Sequence, residues 1–193
     1  MKLRLLAVLS IAAALVLSGC TGKDAVVQGD GGNNFHFVGG TSLGKSYPIA
    51  DRKKAGNFTG DLLDGGKLSL SQFAGKVVVI NFWATWCGPC QTETPQFDSV
   101  YRKYKAKGVA FIGIDTKNSP SSKAKSFVKD NDISYPMVYD QTGETALRLG
   151  KIPALSLPFT VIVDKHGRVA VVYLNEMTAK DLEPLLDKLL AES

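Results

Sequence analysis

Val77-Val78-Val79-Ile80-Asn81-Phe82-Trp83-Ala84-Thr85-Trp86-Cys87-Gly88-Pro89-Cys90 is the stretch around which the rest of the chain is organised. An apolar run without polar alternation is the pattern of a strand covered on both faces. A Cys-x-x-Cys follows at once, with helix-compatible sequence after it, so Cys87 falls where the strand ends and a helix begins. The unpaired N–H groups and positive dipole end of a helix favour a thiolate over a thiol. Cys87 is therefore expected to ionise near neutral pH while Cys90, one turn in, keeps its proton: one thiol attacks and the other resolves. Gly88 lets a partner chain approach the sulfur, and Pro89, in the first turn, gives up an N–H that has no helical partner anyway. Trp86, Gly88 and Pro89 are the residues a substrate would meet first.

Other uses of the pair fit less well. A zinc site needs two further ligands, and only Cys20, His36 and His166 remain, none paired at metal-ligand spacing. A structural disulfide across a two-residue spacer removes little chain entropy and stabilises little. The residues call for redox chemistry with no cofactor and no metal.

The 193 residues, 45% of them hydrophobic and 21% charged, suffice for one well-buried domain plus extensions. Lys2 and Arg4 precede an apolar run from Leu5 to Leu17, too short to span a bilayer and laid out as a secretory signal. Leu17-Ser18-Gly19-Cys20 resembles a bacterial lipobox, which implies cleavage before Cys20 and lipidation of its thiol. Cysteine arithmetic agrees: with Cys20 acylated, Cys87 and Cys90 form the one pair of an exported protein. The expected divisions are 1–19 as lipoprotein signal peptide, 20–56 as lipidated cysteine and flexible tether, and 57–193 as the folded domain. The tether, glycine-rich and without sustained periodicity, has an r.m.s. reach of roughly 30 to 35 Å; Phe35, His36 and Phe37 interrupt it as exposed residues. Without Lys2 and Arg4 the 23 basic residues become 21 against 18 acidic, about +3, with no clustered basic patch and so no case for nucleic acid.

Along the domain, Phe58 to Leu70 has the pattern of a hairpin turning at Asp64-Gly65-Gly66, and Ser71 to Gly75 that of a short turn or helical piece. A helix is expected from Cys90 to Lys107, burying Phe97, Val100, Tyr101 and Tyr104, kinked at Pro95 and ended by Gly108. Val109 to Ile114 is a second buried strand. Ser119 and Pro120 suit the cap and first residue of the next helix; Ile133 to Tyr139 returns as a strand; Gly143 to Leu149 is a short helix. Phe159 to Val163 and Val169 to Leu174 form a hairpin, with His166 in its solvated turn. The last helix runs to Ala191, capped by Thr178 or Asp181, with Pro184 favouring the later start.

Asn81 to Pro95, NFWATWCGPCQTETP, resembles the active-site segment of the thioredoxin superfamily, and the likeness extends from about Phe58 to the C-terminus. The βαβ insertion narrows it to the membrane-anchored TlpA and ResA-like thiol-disulfide oxidoreductases. The resemblance implies an α/β, thioredoxin-like fold: a central mixed sheet flanked by helices, with an N-terminal hairpin and the insertion. It implies a cis-proline facing the cysteines, for which Pro158 is the choice and Pro153 the competitor, and a Leu157 backbone that pairs with an extended substrate. Asn81 and Phe111 stand where thioredoxins carry Asp and Lys. Glu93, matching a ResA-like Glu three residues after the second cysteine, is the candidate to exchange protons with Cys90, in place of a solvated helix residue. The resemblance further implies an extracytoplasmic, lipid-anchored enzyme reducing exported protein disulfides, such as apocytochrome c Cys-x-x-Cys-His sites, and reloaded by a membrane thiol-electron carrier. A general disulfide oxidase would use the same cysteines. A Sco-type copper carrier would want a three-residue spacer and a later His.

Overall fold

The computed structural model describes residues 45–117, 120–150, 152 and 156–192. The expected export signal, Cys20, the glycine-rich stretch before Lys45, Ser119 and Pro153 lie outside them. The centre of the fold is β4 (Val77–Trp83), buried at all seven positions. It pairs in parallel with β5 (Val109–Thr116), which pairs in parallel with β6 (Met137–Asp140). On its other side β4 meets β7 (Phe159–Val163) antiparallel, and β7 turns into β8 (Val169–Tyr173). The hairpin of β2 (Thr59–Leu62) and β3 (Lys67–Ser69) joins the β6 edge, and β1 (Lys45–Ser46) joins the β8 edge. The eight strands run in the order β1-β8-β7-β4-β5-β6-β2-β3.

Because side chains alternate along β4, the sheet carries two cores. Val77, Val79 and Trp83 pack under α1 (Gly88–Tyr104), α2 (Ser121–Asp130) and α4 (Ala179–Ala191), with Phe97, Val100, Ala124, Leu182, Leu186 and Leu189. Val78, Ile80 and Phe82 face α3 (Glu144–Gly150), through Ala146 and Leu149, together with Phe58 and Leu70. Both strand faces are thus covered, which is why this run carries no polar alternation.

Several boundaries differ from the sequence reading. Helix α1 begins at Gly88, with Cys87 itself as cap, and passes through Pro95; a 3-10 turn, Lys105–Lys107, ends at Gly108, whose φ of 92° suits glycine. Helix α2 begins at Ser121, and Pro120 is the residue before it. Strand β6 is confined to its last residues, since Pro136 has no N–H to give a ladder, although Ile133 and Tyr135 are still buried. Helix α4 takes the earlier start: Thr178 accepts from the Asp181 amide, and Asp181 in turn accepts from Thr178. This capping box outweighs Pro184, which removes one interior hydrogen bond.

The largest difference is at the tether. Residues from Lys45 on are part of the domain: β1 pairs with β8, Tyr47 is buried, and the Val169 amide bonds to the Lys53 carbonyl. Arg52 anchors them, meeting Asp164 at 3.1 Å and both Glu192 carboxylate oxygens. No local pattern marked this segment, because its partners lie more than a hundred residues away.

Candidate active site

After β4, Ala84 and Thr85 turn the chain so that the Cys87 amide donates to the Ala84 carbonyl at 3.1 Å and α1 starts at the next residue. Cys87 and Cys90 are joined as a disulfide, S–S 1.95 Å. The Cys90 amide points at the Cys87 sulfur, 3.3 Å away, so Cys87 caps its own helix through sulfur. Cys90 is fully buried and Cys87 is 4% exposed, whereas Trp86 is 61% exposed, its indole donating to the Lys117 carbonyl. A methyl group at Gly88 would touch nothing within 4 Å, so glycine there answers no internal need of the fold and leaves open space at the sulfur.

Glu93 lies one turn beyond Cys90 and is fully buried, contrary to a solvated helix residue. Its Oε1 accepts from the Met177 amide and its Oε2 from the Asn81 side-chain amide, both at 2.8 Å. Asn81 also donates to Thr160 Oγ1 at 3.2 Å. Burial drives the Glu93 carboxyl up to about 7; the two hydrogen bonds oppose the shift and the nearby Glu176 charge adds to it. The group is thus poised to gain or lose a proton near neutral pH.

Leu157–Pro158 is a cis peptide bond, as expected of Pro158. The next residue, Phe159, pairs with Phe82, one residue before Trp83, so Leu157 and Pro158 stand at the same end of the sheet as the disulfide. Phe111 is a core residue, packed edge-on to Phe97 and Tyr101.

Met177 and Thr160 were not foreseen. Met177 acts through its backbone, which leaves no trace in side-chain identity, and Thr160 resembles any strand threonine. Asn81 stood out only as a departure; the structure makes it the side chain that holds Glu93. Tyr135 rests on β5 where Gly113 leaves room: a methyl group at 113 would lie 3.2 Å from its ring and 2.1 Å from Met137 sulfur.

A strand delivering one cysteine to a helix cap, a second cysteine buried beneath it and an ionisable carboxyl one turn on define a thioredoxin-like thiol-disulfide oxidoreductase. The Redoxin family model matches residues 50–190, and the chain belongs to that family. It is 40% identical over 137 residues to the thiol-disulfide oxidoreductase ResA of Bacillus thuringiensis subsp. konkukian, covering 71% of this chain and 77% of that one. It is 31% identical over 144 residues to the thioredoxin-like protein YneN of Bacillus subtilis, covering 74% and 82%. Among solved structures, a DsbF homologue from Corynebacterium diphtheriae superposes with a TM-score of 0.78 at 35% identity, covering 82% of this chain and all of the other. A secreted thiol-disulfide isomerase from Corynebacterium glutamicum gives 0.78 at 34%, covering 82% and 98%.

Proposed function

We propose that the protein is an extracytoplasmic, lipid-anchored reductant of protein disulfides, acting through Cys87 and Cys90 on exported substrates such as apocytochrome c Cys-x-x-Cys-His sites. The observation that carries the redox assignment is the Cys87 sulfur at the α1 cap, with Cys90 and then Glu93 buried beneath it. In the reduced enzyme the Cys87 thiolate attacks one sulfur of the substrate disulfide, and the other sulfur leaves as a thiolate that takes up a proton. Cys90 then gives its proton to the Glu93 carboxylate and attacks Cys87 Sγ. The second substrate sulfur is expelled and protonated. Two electrons have passed to the substrate, and a membrane thiol-electron carrier returns them to the Cys87–Cys90 disulfide. Trp86, Gly88 and Pro89 border the sulfur, and the Leu157 backbone beside Pro158 pairs with the extended substrate by strand addition.

The basic start, the apolar run and Cys20 support the anchor, the likeness to ResA supports thiol-disulfide exchange, and the Gly88-Pro89 spacer leans towards the reducing direction. The test is Cys90→Ser with an oxidised Cys-x-x-Cys-His peptide: a stable mixed disulfide through Cys87 is expected, and its absence with every exported disulfide tried overturns the scheme. A second reading, donation or isomerisation of disulfides in exported proteins, would use the same cysteines, and the similarity to the secreted isomerase favours its isomerising form. The two readings differ in reduction potential.

A further inference from the structure

Arg52-Lys53-Lys54 is a short basic run, and the fold brings further lysines from separate segments to join it at the end of the sheet opposite the disulfide. Lys76 immediately precedes β4, Lys54 bridges to Arg168, and Lys165 and His166 lie in the turn between β7 and β8. These four border a cavity of about 320 Å³ whose floor is Leu70, Phe73, Val78 and Val163. Lys54 donates to the His166 carbonyl and Lys165 to the Leu190 carbonyl, contacts that leave their charges uncompensated. Among the described residues none of Lys54, Lys76 and Lys165 pairs with a carboxylate. The acid at the cavity, Asp164, is committed to Arg52 and Arg168. Lys105 and Lys107 extend the same pole, since the Gly108 carbonyl that follows them accepts from the Val77 amide.

We propose that this cavity and its rim bind the headgroup of an anionic phospholipid, so that the domain rests on a membrane by this pole with Cys87 turned away from it. The cationic rim complements the phosphate, and the apolar floor suits the glycerol and first methylenes, which inorganic phosphate would leave unused. The volume is at the small end for ligand sites, fit for a headgroup and not a whole lipid. Seven residues of β4, roughly 23 Å at strand rise, separate the cavity from the end of the strand that leads into Cys87. The proposal depends neither on lipidation of Cys20 nor on the direction of disulfide exchange.

The test uses the chain from Thr21 to Ser193, which keeps the whole segment before the domain but lacks Cys20 and so any acyl anchor, and vesicles of phosphatidylcholine with and without phosphatidylglycerol. Each lysine near an anionic surface is worth about fivefold in partitioning, so Lys54→Gln/Lys76→Gln/Lys165→Gln together lower binding to phosphatidylglycerol vesicles by about a hundredfold. The same charge change at Lys123, Lys129 and Lys180, exposed elsewhere, leaves most of it. Equal loss in the two triple variants, or equal binding to both kinds of vesicle, overturns the site. Short-chain phosphatidylglycerol is expected to shift the Val78 and Val163 methyl resonances; inorganic phosphate shifting them equally would make the ligand a soluble anion and contradict the proposal. Reduction of a small-molecule disulfide by the same variants, expected to be unchanged, separates this outcome from failure of the redox reading.

Discussion

Glu93 spends most of its hydrogen-bonding capacity inside the protein, on a backbone amide from the loop before α4 and on Asn81 of the central strand. Its pKa is raised from 4.5 to about 7, so the folded protein binds a proton that the unfolded chain releases between those values. Stability from this group is therefore full below pH 4.5 and falls as pH rises through 7, by about 3 kcal/mol at 1.36 kcal/mol per unit. Glu93→Gln should abolish that slope and leave the oxidised protein more stable than wild type above pH 7, as read by denaturant unfolding across pH. The Asn81 amide can turn to offer its Oδ1, which is buried without a partner, to the new amide. In catalysis the same variant should lose the rise near pH 7 in the rate at which Cys90 resolves a mixed disulfide, and be slowed at least tenfold to a hundredfold there. An unchanged pH profile would remove Glu93 from the chemistry. Cys87, Cys90 and Glu93 were legible in sequence because motif spacing on one helix fixes them. What holds Glu93 was not, because the Met177 amide arrives from 84 residues away and any residue but proline could supply it.

At the scale of elements, the strand–helix junction at Cys87 is where local pattern and tertiary demand agree. Strand β4 falls in the apolar run the sequence marks as covered on both faces, because such burial leaves one reading of that run. Helix starts were harder. Competing signals sit a few residues apart, and the winner is set by which cap completes both halves of its hydrogen bonding, as Thr178 and Asp181 do for α4. Thr178→Ala should cost about 1 kcal/mol in denaturant unfolding. Because Met177 adjoins that cap, the variant should also perturb the pH dependence of Glu93. The shortened β6 shows the converse: Ile133 and Tyr135 are buried like strand residues, but Pro136 breaks the ladder between them and Met137. Gly113→Ala, on the neighbouring strand, should destabilise by about 1 to 3 kcal/mol through overpacking against Met137 and Tyr135.

Across the whole molecule, Arg52 ties the start of the domain to the β7–β8 turn and to the C-terminus. Burial pushes the Asp164 carboxyl up, but the Arg168 amide and the Arg52 and Arg168 side chains outweigh it and hold its pKa below the usual range. Glu192 is lowered chiefly by its hydrogen bond to Arg52. Stability from both acids is present above their unfolded values near 4 and is lost as pH falls through the lower folded ones. Arg52→Met leaves Asp164 buried with one cation fewer and should cost about 3 kcal/mol, with acid unfolding moved to higher pH. This network was illegible in sequence, where the segment before Phe58 has tether composition; only the fold brings Arg52 to Asp164 and Glu192. The direction of electron flow is likewise a property of the whole domain. It is tested most directly by equilibrating the protein in thiol buffers at pH 7 and alkylating free Cys87 and Cys90 to obtain the reduction potential. A value near the thioredoxin end of the scale, about −270 mV, is the result the reductant account predicts, and a value near the DsbA end, about −120 mV, would contradict it and make the protein a disulfide donor.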